Sequence, residues 1–494
     1  MSGAARAGSA SPAFVRELSV FDATMIVAGS MIGSGIFIVS ADIARQVGSP
    51  FWLLAVWVAT GALTVVAALS YGELAAMFPD AGGQYLFLRE AFGPLPGFLY
   101  GWTLFLVIQT GTIAAVAVAF AKFLGAVAPW ISASNRLVPL VLGGSIKEDG
   151  SLTGGLDFSL STQRLVAILV VAFLTFINTR GIKTAKWVQN LFTATKIGAL
   201  ALLAVIPFLG RANPVAIEAN FRGGRFLGEA PLNLGFLAIF GAAMVGSLFS
   251  ADAWNNITFA GEEVKDPRRT LPLSLALGTA IVILLYCLAN VAYLMLLPLH
   301  GSPGAVDLIG RGIQHASEDR VGTAAVEWIF GPSGALIMAA FVMISTFGCE
   351  NGLILSGPRL YYAMARDRLF FAGAARLNRH AVPAWGLFVQ GVWAALLTLS
   401  GTYGNLLDYI IFAALLFYVL TIAAIFTLRR TRPEIPRPYK AIGYPYVPAL
   451  YILAAGAIMI DLLVEKPAYT WPGLLIVLTG IPVYYFWHGS RKAG

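Results

Sequence analysis

Cysteine is nearly absent: the 494 residues contain two, Cys287 and Cys349, each inside an apolar run. That excludes a disulfide framework and a CxxC metal pair. Histidine is almost as scarce, with four copies and none at metal-ligand spacing, so no metal or other cofactor is expected. Charge is the third shortage. Only 12% of the chain is Asp, Glu, Lys or Arg, half the roughly 25% of a soluble globular protein. Nor is there a nucleophile–base pair at usable spacing, a ring of charges or a repeated filter sequence, which argues against an enzyme and against a channel. The net charge of +8 is dispersed over short loops rather than gathered in a patch, so a nucleic-acid partner is not expected. Residues 1–17 are small and polar and do not read as a secretory signal.

What is present is apolar sequence. Hydrophobic residues make up 58% of the chain and the mean hydropathy is +0.77, values that mark an all-α integral membrane protein. Twelve runs read as transmembrane helices, at about 18–47, 51–78, 92–130, 163–181, 188–210, 233–261, 271–299, 331–365, 382–400, 404–429, 446–463 and 470–488. An even number puts both termini on one side. If that side is cytoplasmic, 21 of the 33 Lys and Arg residues lie inside, which predicts cytoplasmic N- and C-termini in a cell membrane. Segments 131–162, 211–232 and 300–330 are longer and rich in Gly, Ser and Pro, and read as outer loops or gates.

Polar residues at bilayer depth mark candidate sites. The stretch Val27-Ala28-Gly29-Ser30-Met31-Ile32-Gly33-Ser34-Gly35-Ile36-Phe37 sets three glycines and two serines in the first run. It reads either as a broken helix whose backbone lines a cavity or as a close contact through the small-xxx-small pair Gly29/Gly33. Met31-Ile32-Gly33-Ser34 recurs loosely as Met244-Val245-Gly246-Ser247, each copy heading a block of five runs. Five is odd, so the second block is inverted relative to the first, as in transporters built from inverted repeats. The sixth run carries Phe249-Ser250-Ala251-Asp252-Ala253-Trp254-Asn255-Asn256; Asp252 there either faces a cavity or caps a half-helix. Lys196 lies ten residues past Lys186, ~15 Å deeper in a helix, and is expected to face the interior with a partner or a carbonyl cage. Glu350, in Ser345-Thr346-Phe347-Gly348-Cys349-Glu350-Asn351-Gly352, suits a proton relay, a cation-attracting wall or a bundle-internal partner. Glu73 and Glu327, nearer run ends, are expected to be solvated.

These motifs, with Gly33-Ser34-Gly35-Ile36-Phe37, Tyr71-Gly72-Glu73-Leu74, Gly82-Gly83-Gln84-Tyr85, Gly261-Glu262-Glu263-Val264-Lys265-Asp266-Pro267 and Arg359-Leu360-Tyr361-Tyr362-Ala363-Met364-Ala365-Arg366-Asp367, resemble the amino acid–polyamine–organocation superfamily and its L-type amino acid transporter branch. The resemblance implies a LeuT-type fold with a 5+5 inverted repeat and broken helices 1 and 6. The divisions would be a tail at 1–17, a first repeat at 18–210, a second at 233–429, a peripheral pair at 446–488 and a tail at 489–494. It implies that the substrate α-carboxylate meets N–H groups around Ser34, Gly35 and Ile36, beside Gly33. The α-amine would then meet free carbonyls near Met31, Ile32, Phe249 and Ala251, within a site that also takes in Ser250, Asp252 and Asn255. Phe249 matches the aromatic gate and Asn255 the polar residue of the sixth helix. Lys196 matches a fifth-helix lysine that stands in for the sodium ion of sodium-coupled relatives.

The expected activity is sodium-independent amino acid transport by exchange or proton symport, with neutral L-amino acids favoured. Lys196 and Glu350 would be the coupling groups, and protons a coupling ion that Lys196 permits. Segment 131–162 has no cysteine, so no disulfide-linked glycoprotein partner is expected, and lipid and the amino acid are the partners that remain. Asp252, where some relatives have glycine, and Glu350, unusual beside Asn-Gly, keep a cationic amino acid, polyamine or agmatine substrate open. A non-transporting sensor is disfavoured by short tails, 17 residues before the first run and six after the last.

Overall fold

The computed structural model describes residues 14–142, 145–146, 152–153, 156–222, 224–228, 233–399, 403–465 and 467–489. Most of the expected terminal tails therefore lie outside the described residues. The principal helices in chain order are α1 Val20–Met31, α2 Pro50–Met77, α3 Pro94–Val127, α4 Thr162–Asn178, α5 Ile182–Val205, α6 Leu234–Ser250, α7 Pro267–Leu296, α8 Ser333–Arg366, α9 Ala384–Thr398, α10 Tyr403–Thr431, α11 Tyr446–Glu465 and α12 Pro467–Gly489. Among the described residues, eight helices are long and apolar enough to cross a membrane, in α2, α3, α5, α7, α8, α10, α11 and α12. The helices α1, α4, α6 and α9 are apolar but shorter, at 12, 17, 17 and 15 residues.

Local chemistry explains where the helices begin. Ser19 and Asp22 form a capping box at α1: the Ser19 hydroxyl accepts from the Asp22 N–H at 3.2 Å and the Asp22 carboxylate accepts from the Ser19 N–H at 2.9 Å. The same carboxylate receives Asn190 Nδ2 at 2.6 Å and Lys186 Nζ at 3.3 Å, so the cap also anchors α1 to α5. Proline opens α2, α3 and α7, where a missing N–H is harmless. In the packed bundle α2 runs along α7 and α3 along α8, while α1 is enclosed by α5, α7 and α8. Gly29 permits that enclosure: a Cβ there would stand 2.0 Å from Gln189 Nε2 and 2.2 Å from Thr193 Oγ1 of α5.

Four sequence expectations need correction. First, Glu73 is fully buried rather than solvated. Its carboxylate takes Arg429 Nε at 2.9 Å and Nη2 at 2.6 Å, and accepts the Ala441 N–H at 2.7 Å. The segment after α10 folds over the end of α2, an arrangement a linear hydropathy profile does not record. Second, segment 131–162 is not simply a loop. It carries three short antiparallel strand pairs, Arg136–Val138 with Leu160–Ser161, Val141–Leu142 with Leu156–Asp157 and Ser145–Ile146 with Leu152–Thr153. Third, the gap between the second and third runs holds a separate short helix, Gln84–Phe92, and α3 contains a π-helical segment at Leu104–Ile108. Fourth, Met244–Ser247 lies inside α6 rather than at its break, so the four-residue echo does not align the two interruptions.

The same end of the bundle holds a buried ion pair. Arg359 of α8 grips Glu263 through Nε at 2.9 Å and Nη2 at 3.1 Å, with both side chains about 1% exposed. The Glu263 carbonyl accepts the N–H groups of Glu17 and Leu18 at 2.9 and 3.0 Å, which ties the entry of α1 to this pair. Arg359→Leu leaves an unpaired buried carboxylate, a defect that typically costs about 3–5 kcal/mol. The expected outcome is a clear fall in apparent melting temperature in detergent. An unchanged melting curve would show that Glu263 finds another partner.

Candidate functional site

Helix α1 stops at Met31, and the chain turns once through Gly35–Phe37 before the helix Ser40–Val47. The first interruption therefore covers residues 32–34. Any helix end leaves four carbonyls without amide partners, and in α1 these belong to Gly29, Ser30, Met31 and Ile32, since Ile32 N–H still reaches Ala28 O. Side chains from three other helices supply the donors. Lys196 Nζ of α5 donates to Gly29 O at 2.5 Å, Ile32 O at 2.7 Å and Ser345 O at 3.3 Å. Cys349 Sγ of α8 donates to Ser30 O at 2.9 Å. The Ser345 hydroxyl lies 3.1 Å from Ile32 O and 3.0 Å from Gly33 O. The Tyr286 hydroxyl of α7 lies 3.1 Å from Met31 O and 3.0 Å from Ser250 O, so one proton serves both broken segments. A cation at a helix C-terminus also meets the negative end of the helix dipole.

The carbonyls of Met31 and Ile32 are thus not free, as the resemblance implied, but already hold protein donors. Sequence reasoning missed Tyr286, Ser345 and Cys349. Ser345 and Cys349 lie in the polar stretch that drew attention to Glu350, but nothing there singled out their own roles, and Tyr286 contributes one polar atom from an otherwise apolar stretch.

The second interruption follows α6. Ala251 N–H reaches Ser247 O at 3.0 Å and Asp252 N–H reaches Phe249 O at 3.1 Å. Ala253 then adopts the left-handed conformation at φ 65° before a 3-10 turn over Trp254–Phe259. Phe249 is buried in the last turn of α6. The two interruptions touch: a Cβ on Gly35 would stand 2.1 Å from Ser250 Oγ and 2.9 Å from Ser250 Cβ. Gly33 is less confined, a Cβ there meeting Cys349 Sγ at 3.4 Å and Cys349 Cβ at 4.0 Å. Gly33, Ser34, Gly35 and Ile36 are all buried beside Ser250 and Ala251.

Asp252 and Asn255 share a partner, since the Tyr418 hydroxyl of α10 donates to Asp252 Oδ1 at 2.5 Å and lies 3.4 Å from Asn255 Oδ1. Asn255 Nδ2 in turn donates to Gln84 Oε1 at 2.8 Å. Tyr418 stands in an aromatic cluster with Tyr71 and Trp254, at centroid distances of 5.9 and 5.2 Å. Glu350 is 1% exposed and neither of its carboxylate oxygens has a hydrogen-bond partner among the described residues. The structure therefore joins Met31–Ile36, Phe249–Ala251 and Lys196 into one contiguous region. Asp252 and Asn255 form a second polar group next to it. Glu350 shares α8 with Ser345 and Cys349 and is bonded to neither set.

This is the architecture of a membrane permease: a helical bundle whose two interrupted helices meet at a buried polar centre. The family profile described as amino acid permease matches residues 18–484, and the chain belongs to that family. It is a transporter of amino acids, not an enzyme. Among its relatives is the b(0,+)-type amino acid transporter 1 of Mus musculus, 27% identical over 97% of this chain and 89% of the relative. Another is the large neutral amino acids transporter small subunit 2 of Homo sapiens, 30% identical over 99% of this chain and 84% of the relative.

Proposed function

We propose that the protein carries neutral L-amino acids across a cell membrane by sodium-independent alternating access. On this reading α1 to α12 are twelve spans in a LeuT-type fold, with α1–α5 and α6–α10 as inverted repeats, α11 and α12 peripheral and both termini cytoplasmic. The observation that carries it is the Lys196 ammonium among carbonyls of the first interruption and of α8. A fixed positive charge there replaces a coupling cation. The α-carboxylate is assigned to the N–H groups of Ser34–Ile36, which open a new turn, and the α-amine to the carbonyl side of Met31 and Ile32, where it competes with the present donors. Phe249 is the gate over this site. Glu350 is assigned to coupling, because a carboxylate at bilayer depth with no hydrogen-bond partner among the described residues is suited to exchange a proton with the transport pathway.

Asp252 supports a second reading. Its buried carboxylate, with the Tyr418 hydroxyl on one oxygen, is a seat for the second charge of a cationic amino acid or polyamine. One relative's name describes a small subunit. For this chain we assign no disulfide-linked partner, since Cys287 lies within α7, Cys349 is buried in α8 and there is no third cysteine.

Radiolabelled uptake into proteoliposomes with and without internal amino acid tests the mode. Uptake only against internal substrate identifies exchange. Uptake that follows an imposed pH gradient without internal substrate identifies proton symport. Dependence on external sodium would overturn the role of Lys196.

A further inference from the structure

Two buried amide N–H2 groups beside the second interruption have no acceptor among the described residues. Gln84 Nε2 and Asn256 Nδ2 lack hydrogen-bond acceptors among the described residues, and the two side chains are 0% and 3% exposed. Each orphaned donor typically costs about 1–3 kcal/mol. Both residues line one small cavity together with Asp252, Asn255 and Tyr418. The acceptor end of Gln84 is committed to Asn255 Nδ2, which leaves its N–H2 as the uncommitted end. Asp252 is committed only in part. Tyr418 occupies one oxygen and the Ala253 backbone also bonds the carboxylate, and a carboxylate accepts about four hydrogen bonds.

The cavity is set in irregular backbone on two sides. The π-helical segment Leu104–Ile108 contributes its first and last residues to the lining, and so does left-handed Ala253. Such π-bulges recur at functional sites. In the present conformation the cavity has room for about one water molecule, so a larger group enters only when the walls part, as a transport cycle requires.

We propose that this cavity seats the substrate side chain and selects a carboxamide, which makes glutamine and asparagine the preferred substrates. This rests on the assignment of the α-carboxylate to the first interruption. A carboxamide oxygen accepts from Gln84 Nε2 and Asn256 Nδ2 while its N–H2 donates to Asp252. A branched apolar side chain leaves both amide N–H2 groups without an acceptor and offers Asp252 no donor. A guanidinium or ammonium satisfies Asp252 but points further donors at two amide N–H2 groups. A side-chain carboxylate is repelled by Asp252.

The test is competition for radiolabelled alanine uptake in proteoliposomes holding the full chain, with glutamine, asparagine, leucine, arginine and glutamate as competitors. Glutamine and asparagine are expected to compete at concentrations at least tenfold below the other three. Stronger competition by leucine would overturn the carboxamide site and leave the permease reading intact. Stronger competition by arginine would overturn it in favour of the cationic reading. If none of the amino acids competed, the assignment of the substrate site itself would fail. Gln84→Met and Asn256→Leu are each expected to raise the half-saturating concentration of glutamine about tenfold relative to that of alanine. Equal changes for both substrates would show that the two amides are structural, and would sink the proposal.

Discussion

Lys196→Ala is expected to slow amino acid transport about a hundredfold or more while leaving the protein folded. The ammonium bonds Gly29 O, Ile32 O and Ser345 O, and hydrogen bonds to a charged group contribute about 1.5–3 kcal/mol each. Loss of even ~3 kcal/mol from one state of the cycle shifts a conformational equilibrium by on the order of a hundredfold. Folding is expected to tolerate the change for two reasons. Removing a buried ammonium also removes its desolvation penalty. Ile32 O moreover keeps the Ser345 hydroxyl at 3.1 Å. The measurement is initial uptake rate paired with the thermal melt of the purified variant. Near-wild-type rates would mean that the α1 carbonyls are held open without this charge. A collapse in melting temperature that matches the loss of rate would make Lys196 a stability residue.

Gly35→Val is expected to weaken binding of every amino acid by a similar factor, roughly ten- to a hundredfold. The reason is space, not backbone conformation, because Gly35 is not among the residues with positive φ. Its Cβ would fall 2.1 Å from Ser250 Oγ and 3.2 Å from Ser250 Cα, so the two interrupted segments must move apart. Overpacking of this kind typically costs about 1–3 kcal/mol. Ser250→Gly removes the side chain in the way and should restore part of the affinity in the double variant. Binding measured by thermal shift over a panel of amino acids is the readout. If only some amino acids lost affinity, Gly35 would border the side-chain pocket and the shared carboxylate would sit elsewhere.

Much of the site was legible in sequence wherever a residue broke the rule of its surroundings. Lys196 and Asp252 stood out because charge at bilayer depth is costly, and the structure buries Lys196 against the first interruption and Asp252 in the polar group next to it. Gly29 illustrates a motif with two readings that the bundle divides. It is the packing contact with Gln189 and Thr193, while Gly35 is the close approach between the two interruptions. Glu73 shows the opposite case: its position near a helix end suggested solvent, and a segment more than 350 residues away covers it. The roles of Tyr286, Ser345, Cys349 and Gln84 were not legible for a simpler reason. A tyrosine, serine or cysteine in a span, or a glutamine between two spans, is ordinary, and acquires meaning only from the carbonyl or amide it meets.

By itself the sequence determined the membrane class and the family and marked Gly29–Gly35 as either a break or a packing contact, because hydropathy, charge placement and glycine clusters are local properties that neighbours along the chain already decide; the break at residues 32–34 came from the structure. Only the tertiary structure decided which donors complete the orphaned carbonyls of α1. That choice depends on atoms from α5, α7 and α8 arriving within hydrogen-bond distance. It likewise left two amide N–H2 groups beside Asp252 without acceptors among the described residues, since hydrogen-bond satisfaction belongs to the packed bundle and not to any one segment.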